Sequence, residues 1–243
     1  MSHDVQLPAG IGPLSSIDEP VYARLLTHRD LSALIELEHE KWEPCQAASL
    51  EELRARIDAH PELAMGAFCT CTGRLLASLF LRPVPDDFYR IATTWKACTI
   101  LPVPRRTTTL FGISLSSQSQ GAVDALLRFY WPKALKQGWR YIYLGSPLPG
   151  LRDWLKNHPD HTVWHYVRTR RAGRPVDPQL RYYRTRGFGK IVDVKPAYFP
   201  HEQSLNYGAL LRGTIPLSFL APLWANLPLS EVQRITRSLA GLL

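Results

Sequence analysis

Residues 107–126 read TTTLFGISLSSQSQGAVDAL. Thr107 to Leu115 is rich in β-branched residues and predicts a buried strand. The polar run 116–121, SSQSQG, then leads into a helix expected over 122–137, with Ala125, Leu126, Phe129 and Tyr130 apolar. Pro132 is expected to perturb that helix in its middle, because proline lacks the N–H and crowds the preceding turn. A strand that feeds a helix through such a loop presents free backbone N–H groups at a helix N-terminus, where the dipole favours an anion. Gly121 permits close backbone approach, and no acidic residue stands between Thr107 and Val123 to repel phosphate. The same residues also suit a plain strand-to-helix turn with glycine for geometry, and spacing alone leaves both readings open.

Upstream, residues 1–18 form a Pro/Gly/Ser-containing arm. Val21 to Leu26 suits a first strand. Asp30 is placed to cap a helix carrying Leu31, Leu34, Ile35, Leu37 and Trp42, which Pro44 stops. Ser49 and Glu52 make a capping box for a short helix, Leu50 to Ala59. Glu62 to Thr70 and Arg74 to Leu81 read as two strands joined at Thr72-Gly73, with Cys69 and Cys71 on one side of the first. Residues 82–106 are Pro-rich and irregular. Downstream, Trp139 to Leu144 is a strand, and Asp177-Pro178 starts a helix that Gly187 ends. Lys190 to Val194 and Tyr207 to Leu211 are two more strands. A capping box in Leu229-Ser-Glu-Val-Gln233 precedes an amphipathic helix with Val232, Ile235, Leu239 and Leu242 on one stripe. This order of strands and helices, with hairpins among the strands, indicates an α+β or mixed-sheet α/β fold.

The chain has 243 residues, 45% hydrophobic and 21% charged, which excludes wholesale disorder and fibrous structure. At ~150 residues per domain it allows one to two domains. Its net charge of +8, carried mostly by arginine, suits a phosphate-bearing or acidic partner. Seven arginines fall within 168–186 (Arg168, Arg170, Arg171, Arg174, Arg181, Arg184 and Arg186). The only aromatics in that run, the adjacent Tyr182 and Tyr183, do not interleave with the arginines as the stacking platform of a nucleic-acid site requires, so no nucleic acid is expected. The reading is of a cytoplasmic protein: there is no signal-peptide pattern, no apolar run near the ~20 residues of a membrane span, and no disulfide spacing among Cys45, Cys69, Cys71 and Cys98. His158, His161 and His165 lie close in sequence, but Pro159 breaks a helical presentation and no metal is expected. Glu36, Glu38, His39, Asp86 and Asp87 are candidate general bases, and spacing singles out none.

Gln118-Ser-Gln-Gly121-Ala-Val123 after a strand, followed later by Tyr182-Tyr183-Arg-Thr-Arg-Gly187-Phe188, resembles the GNAT acyltransferase signature of Gln/Arg-x-x-Gly-x-Gly/Ala and a later Phe-Tyr-x-x-x-Gly-Phe. Val123 departs from it, standing where the family has a small residue. The resemblance implies a mixed, mostly antiparallel central sheet flanked by helices over residues 19–213, with a C-terminal helical extension over 214–243. It also implies acetyl-CoA or another acyl-CoA bound between two splayed central strands. Backbone amides near Phe111 and Ile113 would meet the pantetheine arm, and those of Gln118, Ser119, Gln120, Gly121, Ala122 and Val123 the pyrophosphate. Tyr183 falls where many members place the tyrosine that protonates the departing thiolate.

A narrower resemblance links the chain to the GNAT-like domains of polyketide synthases. It rests on Asp177-Pro-Gln-Leu-Arg-Tyr-Tyr183, on Pro196-Ala-Tyr-Phe-Pro200 and on Tyr207-Gly-Ala-Leu210. Trp42 sits where that subgroup carries a substrate-binding Trp. Those domains are associated with malonyl decarboxylation and acyl transfer to a carrier-protein thiol. Their catalytic His corresponds to Tyr183 and an Arg of theirs to Phe199, which weakens decarboxylation as the reaction here. The implied function is transfer of an acetyl or acyl group from acyl-CoA, or an acyl carrier protein, to an amine or thiol. The alternatives are a malonyl-thioester decarboxylase/S-acyltransferase and a catalytically silent CoA- or protein-binding module. The arginine cluster of 168–186 could hold CoA's ribose phosphate, a phosphopantetheine phosphate or an acidic acyl carrier protein, the last through Arg168, Arg170, Arg171 and Arg174; the protein is expected to be a monomer or homodimer without membrane attachment.

Overall fold

The computed structural model describes residues 20–42, 44 and 46–239; the N-terminal arm, Cys45 and Leu242 lie outside that range. In chain order the elements are β1 (Val21–Leu25), α1 (Leu31–Lys41), α2 (Leu50–Ala59), β2 (Ala64–Cys69), β3 (Leu75–Val84), α3 (Phe88–Ile91), α4 (Trp95–Thr99), β4 (Thr109–Ser117), α5 (Gln120–Gln137) and β5 (Tyr141–Pro147). There follow α6 (Leu151–Asn157), α7 (Val163–Arg168), β6 (Arg170–Arg171), β7 (Arg174–Pro175), α8 (Pro178–Arg184), β8 (Lys190–Lys195), β9 (Gly208–Thr214), α9 (Ala221–Asn226) and α10 (Leu229–Leu239). Seven strands form a mixed, mostly antiparallel sheet in the order β1-β2-β3-β4-β5-β9-β8, as the sequence led us to expect, and β6 and β7 form a small separate hairpin. Among the described residues no helix is long and apolar enough to cross a membrane.

The chain forms two compact units. The first comprises Pro83–Phe111 and Tyr141–Thr214; the second comprises residues 20–82, Gly112–Arg140 and 215–239. In the second unit β2 is buried along its whole length and pairs antiparallel with β1 and β3. β1 carries Arg24, whose guanidinium lies 4.0 Å from the Phe68 ring centroid and pairs with Asp30 at 2.7 Å. Asp30 was expected to cap α1. Its carboxylate instead accepts from Arg24 and from the Thr27 N–H at 2.8 Å, and makes no capping bond to α1. The Ser49–Glu52 box does start α2, with Ser49 N–H donating to Glu52 at 2.9 Å and Glu52 N–H to Ser49 Oγ at 3.2 Å.

Four further expectations change. Cys69 ends β2 and is buried, whereas Cys71 stands exposed in the turn, so the two do not share a strand face. Helix α5 runs unbroken through Pro132, which is buried in its interior. One lost hydrogen bond is offset there by the packing of α5 on β1, β2, α9 and α10. Helix α10 begins at Leu229, with the Glu231 and Val232 N–H groups bonding Pro228 O, so Ser230 lies inside the helix and caps nothing. The stretch 82–106 contains the helices α3 and α4, the second capped by Thr94, whose hydroxyl accepts from Ala97 N–H at 3.1 Å.

In the first unit β9 pairs antiparallel with both β5 and β8. Leu148, Leu151, Tyr166, Val167, Leu180, Val194, Ala209 and Leu211 build its core. Asp177 organises one side: its fully buried carboxylate accepts from the Gln179 and Leu180 N–H groups (2.9 and 3.0 Å), from Tyr166 Oη (2.6 Å) and from Gly150 N–H (3.4 Å). The expected Asp177 cap is thus also a junction between α6, α7 and α8. Tyr198 is buried against β9, and a Cβ at Gly208 would stand 2.9 Å from its Cβ and Cγ. Gly208→Ala is therefore expected to cost about 1–3 kcal/mol through overpacking, measured as a lower urea midpoint with unchanged m-value.

Candidate functional site

β4 extends two residues further than expected, to Ser117, which leaves only Gln118 and Ser119 as the loop before α5. Two serines set the turn. Ser117 Oγ donates to Ser119 O at 2.8 Å and accepts from Ser119 N–H at 3.2 Å. Ser119, the extended N-cap residue, accepts from Ala122 N–H at 3.1 Å. Gln118 N–H donates to Leu76 O at 2.8 Å, and Val123 N–H to Ser119 O at 3.4 Å. Of the six amides expected to face a pyrophosphate, those of Gln118, Ser119, Ala122 and Val123 therefore have partners within the chain. The N–H of Gly121, on the exposed first turn, has none among the described residues.

Gly121 is informative in a second way. Its φ is ordinary, and a Cβ added there would meet nothing within 4 Å. Neither backbone conformation nor packing asks for glycine, although glycine in a helix is less favourable than alanine by up to about 1 kcal/mol. The missing side chain leaves the first turn of α5 open to close approach from outside the chain. One feature opposes an anion. The acid that is absent from 107–123 in sequence is brought in by the fold, since Gln118 Nε2 donates to the carboxylate of Glu40 on α1. Glu40 is itself paired with Lys41 at 2.7 Å.

Beside this turn lies a buried polar chain that the sequence did not single out. Trp42 Nε1 donates to Ser116 Oγ at 2.7 Å, and Ser116 Oγ donates to Glu38 Oε1 at 2.8 Å. Glu38 also accepts from Ala48 N–H at 3.3 Å. Burial pushes the Glu38 carboxyl above its ordinary value, against the lowering effects of the Ser116 hydrogen bond and the nearby Arg56 charge. Arg56, whose pKa burial lowers, donates to Ser114 Oγ at 3.3 Å. The periodicity that could have revealed this chain is simple. Glu38 lies in the last turn of α1 and Trp42 four residues on, just past its end, and Ser114 and Ser116 alternate onto one face of β4. Trp42 is thus held by its indole N–H, and Ile113 is buried in the same strand.

The first unit contains the other expected residues. Phe111 is fully buried, its ring 5.0 Å from that of Phe88. Tyr183 lies on α8, half-buried, its ring in edge contact with Tyr182 (5.4 Å) and Phe188 (6.3 Å). Burial and the neighbouring Tyr182 push the phenol up to about 12, so it remains protonated throughout the neutral range. Phe199 packs on Tyr198 (4.8 Å) and Trp95 (6.5 Å). His158 stacks on Trp154 at 4.3 Å, and His161 lies edge-on to both His158 and His165. His165 Nδ1 accepts from Thr162 N–H at 3.0 Å, in the capping box of α7. These imidazoles pack and cap, and among the described residues no group of three or more His, Cys, Asp or Glu is arranged to hold a metal ion. Arg168, Arg170, Arg171, Arg174, Arg181 and Arg184 are all exposed, and Arg170 and Arg184 bond only backbone carbonyls.

Comparison with solved structures now places this architecture. The loading GNATL domain of CurA from Lyngbya majuscula superimposes with a TM-score of 0.65 at 21% identity, over 81% of this chain and 98% of that one. The fold is a GNAT fold. It lies close to the GNAT-like domains of polyketide synthases. A second neighbour, the GphF GNAT-like decarboxylase in complex with isobutyryl-CoA, gives a TM-score of 0.66 at 19% identity over 79% of this chain and 98% of that one. Malonyl-CoA decarboxylase from Cupriavidus metallidurans gives 0.57 at 14% identity, over 87% of this chain and 67% of that one. No protein-family model and no curated protein matches the sequence.

On this GNAT scaffold the raised pKa of Glu38 has a measurable sign. Between an ordinary carboxyl value near 4.5 and the raised native value, the folded state binds more protons than the unfolded one. The contribution of Glu38 to stability is therefore fully present below pH 4.5 and is lost as pH rises through the native pKa. Glu38→Gln should match the wild type in acid and exceed it near neutrality in urea unfolding. A variant that is less stable at neutral pH would show that the ionised carboxylate is needed by Trp42 and Ser116.

Proposed function

We propose that the chain is an acyltransferase that takes an acetyl or acyl group from acyl-CoA, or from an acyl carrier protein, to an amine or thiol acceptor. The observation that carries this reading is the start of α5, where an unpartnered N–H sits on a glycine that the chain's own packing does not require. A helix N-terminus with a free amide favours a phosphate oxygen, and the missing side chain lets the diphosphate come within hydrogen-bonding distance. Of the Gln118–Val123 amides the Gly121 N–H is assigned to the pyrophosphate, the others with partners in the chain shaping the turn around it, and the backbone near Phe111 and Ile113 is assigned to the pantetheine arm. Trp42 is assigned to the substrate.

In the proposed step the acceptor attacks the thioester carbonyl and forms the new N–C or S–C bond, the C–S bond to CoA breaks, the CoA sulfur leaves with its electron pair, and the proton released by the acceptor passes through solvent to that sulfur. A strand amide polarises the carbonyl oxygen. Tyr183 is assigned to the leaving sulfur. A phenol at about 12 facing a thiol of ordinary pKa near 8.5 makes complete proton transfer uphill by about 5 kcal/mol, so its main contribution is a hydrogen bond to the developing thiolate. The exposed arginines of α7 and the β6–β7 hairpin (Arg168, Arg170, Arg171 and Arg174) suit an acidic carrier protein, because guanidinium pairs with carboxylate and phosphate bidentately. A second reading, decarboxylation of a malonyl thioester, is favoured by the names of two neighbours, GphF and the malonyl-CoA decarboxylase. Tyr183 and Phe199, in place of that subgroup's His and Arg, weigh against it.

Calorimetric titration with acetyl-CoA, malonyl-CoA and free CoA tests both enzyme readings; no binding of any of the three would sink them. Release of CO₂ from malonyl-CoA would decide for the decarboxylase. Gly121→Ala should leave unfolding stability unchanged or raised by up to about 1 kcal/mol while lowering CoA affinity. Tyr183→Phe should lower kcat by about tenfold to a hundredfold with little change in KM. Unchanged turnover in that variant would remove Tyr183 from the reaction.

A further inference from the structure

Three capping boxes occur among the described residues, and one is built differently from the others. At α2, Ser49 N–H donates to the Glu52 carboxylate at 2.9 Å; before the turn that leads into α1, Thr27 N–H donates to Asp30 at 2.8 Å. At α7 the same position, three residues after the cap, is filled by His165. Thr162 N–H donates to its Nδ1 at 3.0 Å, and His165 N–H donates back to Thr162 Oγ1 at 3.4 Å. A carboxylate remains an acceptor down to about pH 4, whereas histidine takes its second ring proton between about pH 5 and 8. Thr162 N–H can only donate, so the neutral ring carries its proton on Nε2. A second proton goes onto Nδ1 and sets two donors face to face. The Thr162 hydroxyl oxygen, 3.2 Å from Nδ1, can take the new N–H, but the Thr162 amide then loses its acceptor.

The surroundings give the added charge little compensation. The His161 ring is edge-on to His165 at 5.1 Å and to His158 at 5.6 Å. Arg168, one turn further along α7, lies over Trp164. On α6, which packs against α7, Asp153 pairs with Lys156 at 3.4 Å and Arg152 with Glu202 at 2.6 Å. Asp160 is exposed and makes no ion pair among the described residues. We propose that the Thr162–His165 box is an acid-sensitive latch, in which a second proton on His165 opens the first turn of α7. The latch is independent of the acyl-CoA reading, because it uses no residue assigned to the coenzyme or to the reacting atoms. The other two boxes keep their carboxylate acceptors over the same range, which confines the response to the helix that leads into the β6–β7 arginines.

Amide exchange followed by NMR on the full chain, expressed as protection relative to the unstructured rate, tests the latch between about pH 7.5 and 5.5. Thr162 should lose about tenfold in protection on acidification, equivalent to about 1.4 kcal/mol and typical of one cap. Ser49, held by Glu52, should change by less than about twofold and serves as the reference within the same molecule. His165→Gln puts a side-chain carbonyl at the same position, an acceptor that does not titrate, and should keep Thr162 protection constant. The double variant His158→Gln/His161→Gln leaves the box intact and should retain the loss. Unchanged Thr162 protection in wild type overturns the latch. A loss shared equally by Ser49 also overturns it, since that marks general unfolding. So does a loss that persists in His165→Gln or vanishes in the double variant, since repulsion among the imidazoles would then be the cause.

Discussion

The hydroxyl of Ser117 fixes both sides of one peptide, donating to Ser119 O and accepting from Ser119 N–H. That double hold ends β4 and starts α5 within two residues, and Ser119 then caps the helix it has begun. The direction of α5 and the exposure of its first-turn amides follow from that short turn, which leaves the Gly121 N–H open to water or to a ligand.

A comparable principle operates in each unit separately. Taking a carboxylate out of water is costly unless several donors meet it, so a buried acid fixes every element that supplies one. In the second unit Glu38 draws in β4 through Ser116 and the segment after α1 through Ala48, and Trp42 is held as a consequence. In the first unit Asp177 collects the start of α8, the α7 tyrosine and the α6 cap residue, and so positions the helix that carries Tyr183. Burial pushes both carboxyls up, which shows that desolvation is only partly offset by their hydrogen bonds.

Elements whose signals are local were legible in the sequence. The Ser49–Glu52 box fixed α2 to the residue, because both bonds lie within four positions of each other. The Asp177 cap was legible for the same reason, and the strand-to-helix turn at 107–126 suggested the fold together with Tyr182–Phe188 and the order of the strands. Signals that depend on distant packing were not. Pro132 looked like a break, and only the helices packed on α5 make an uninterrupted course affordable. Asp30 looked like a cap, but a guanidinium from β1 reached its carboxylate first. Ser116 was read as part of a polar loop, whereas it is a buried strand residue joining Glu38 to Trp42. Likewise, the clear stretch around the anion site held until the fold brought Glu40 beside Gln118.

Both ends of the strand order carry charged side chains. β1 places Arg24 at one end, its guanidinium spread over Phe68 and tied to Asp30. β8 places Lys190, Asp193 and Lys195 at the other, with a register shift between Ile191 and Asp193. Charged side chains and a bulge are the features by which an open sheet margin resists recruiting a foreign strand. Both margins are therefore poor templates for cross-β growth, and the sheet is guarded against aggregation by strand addition.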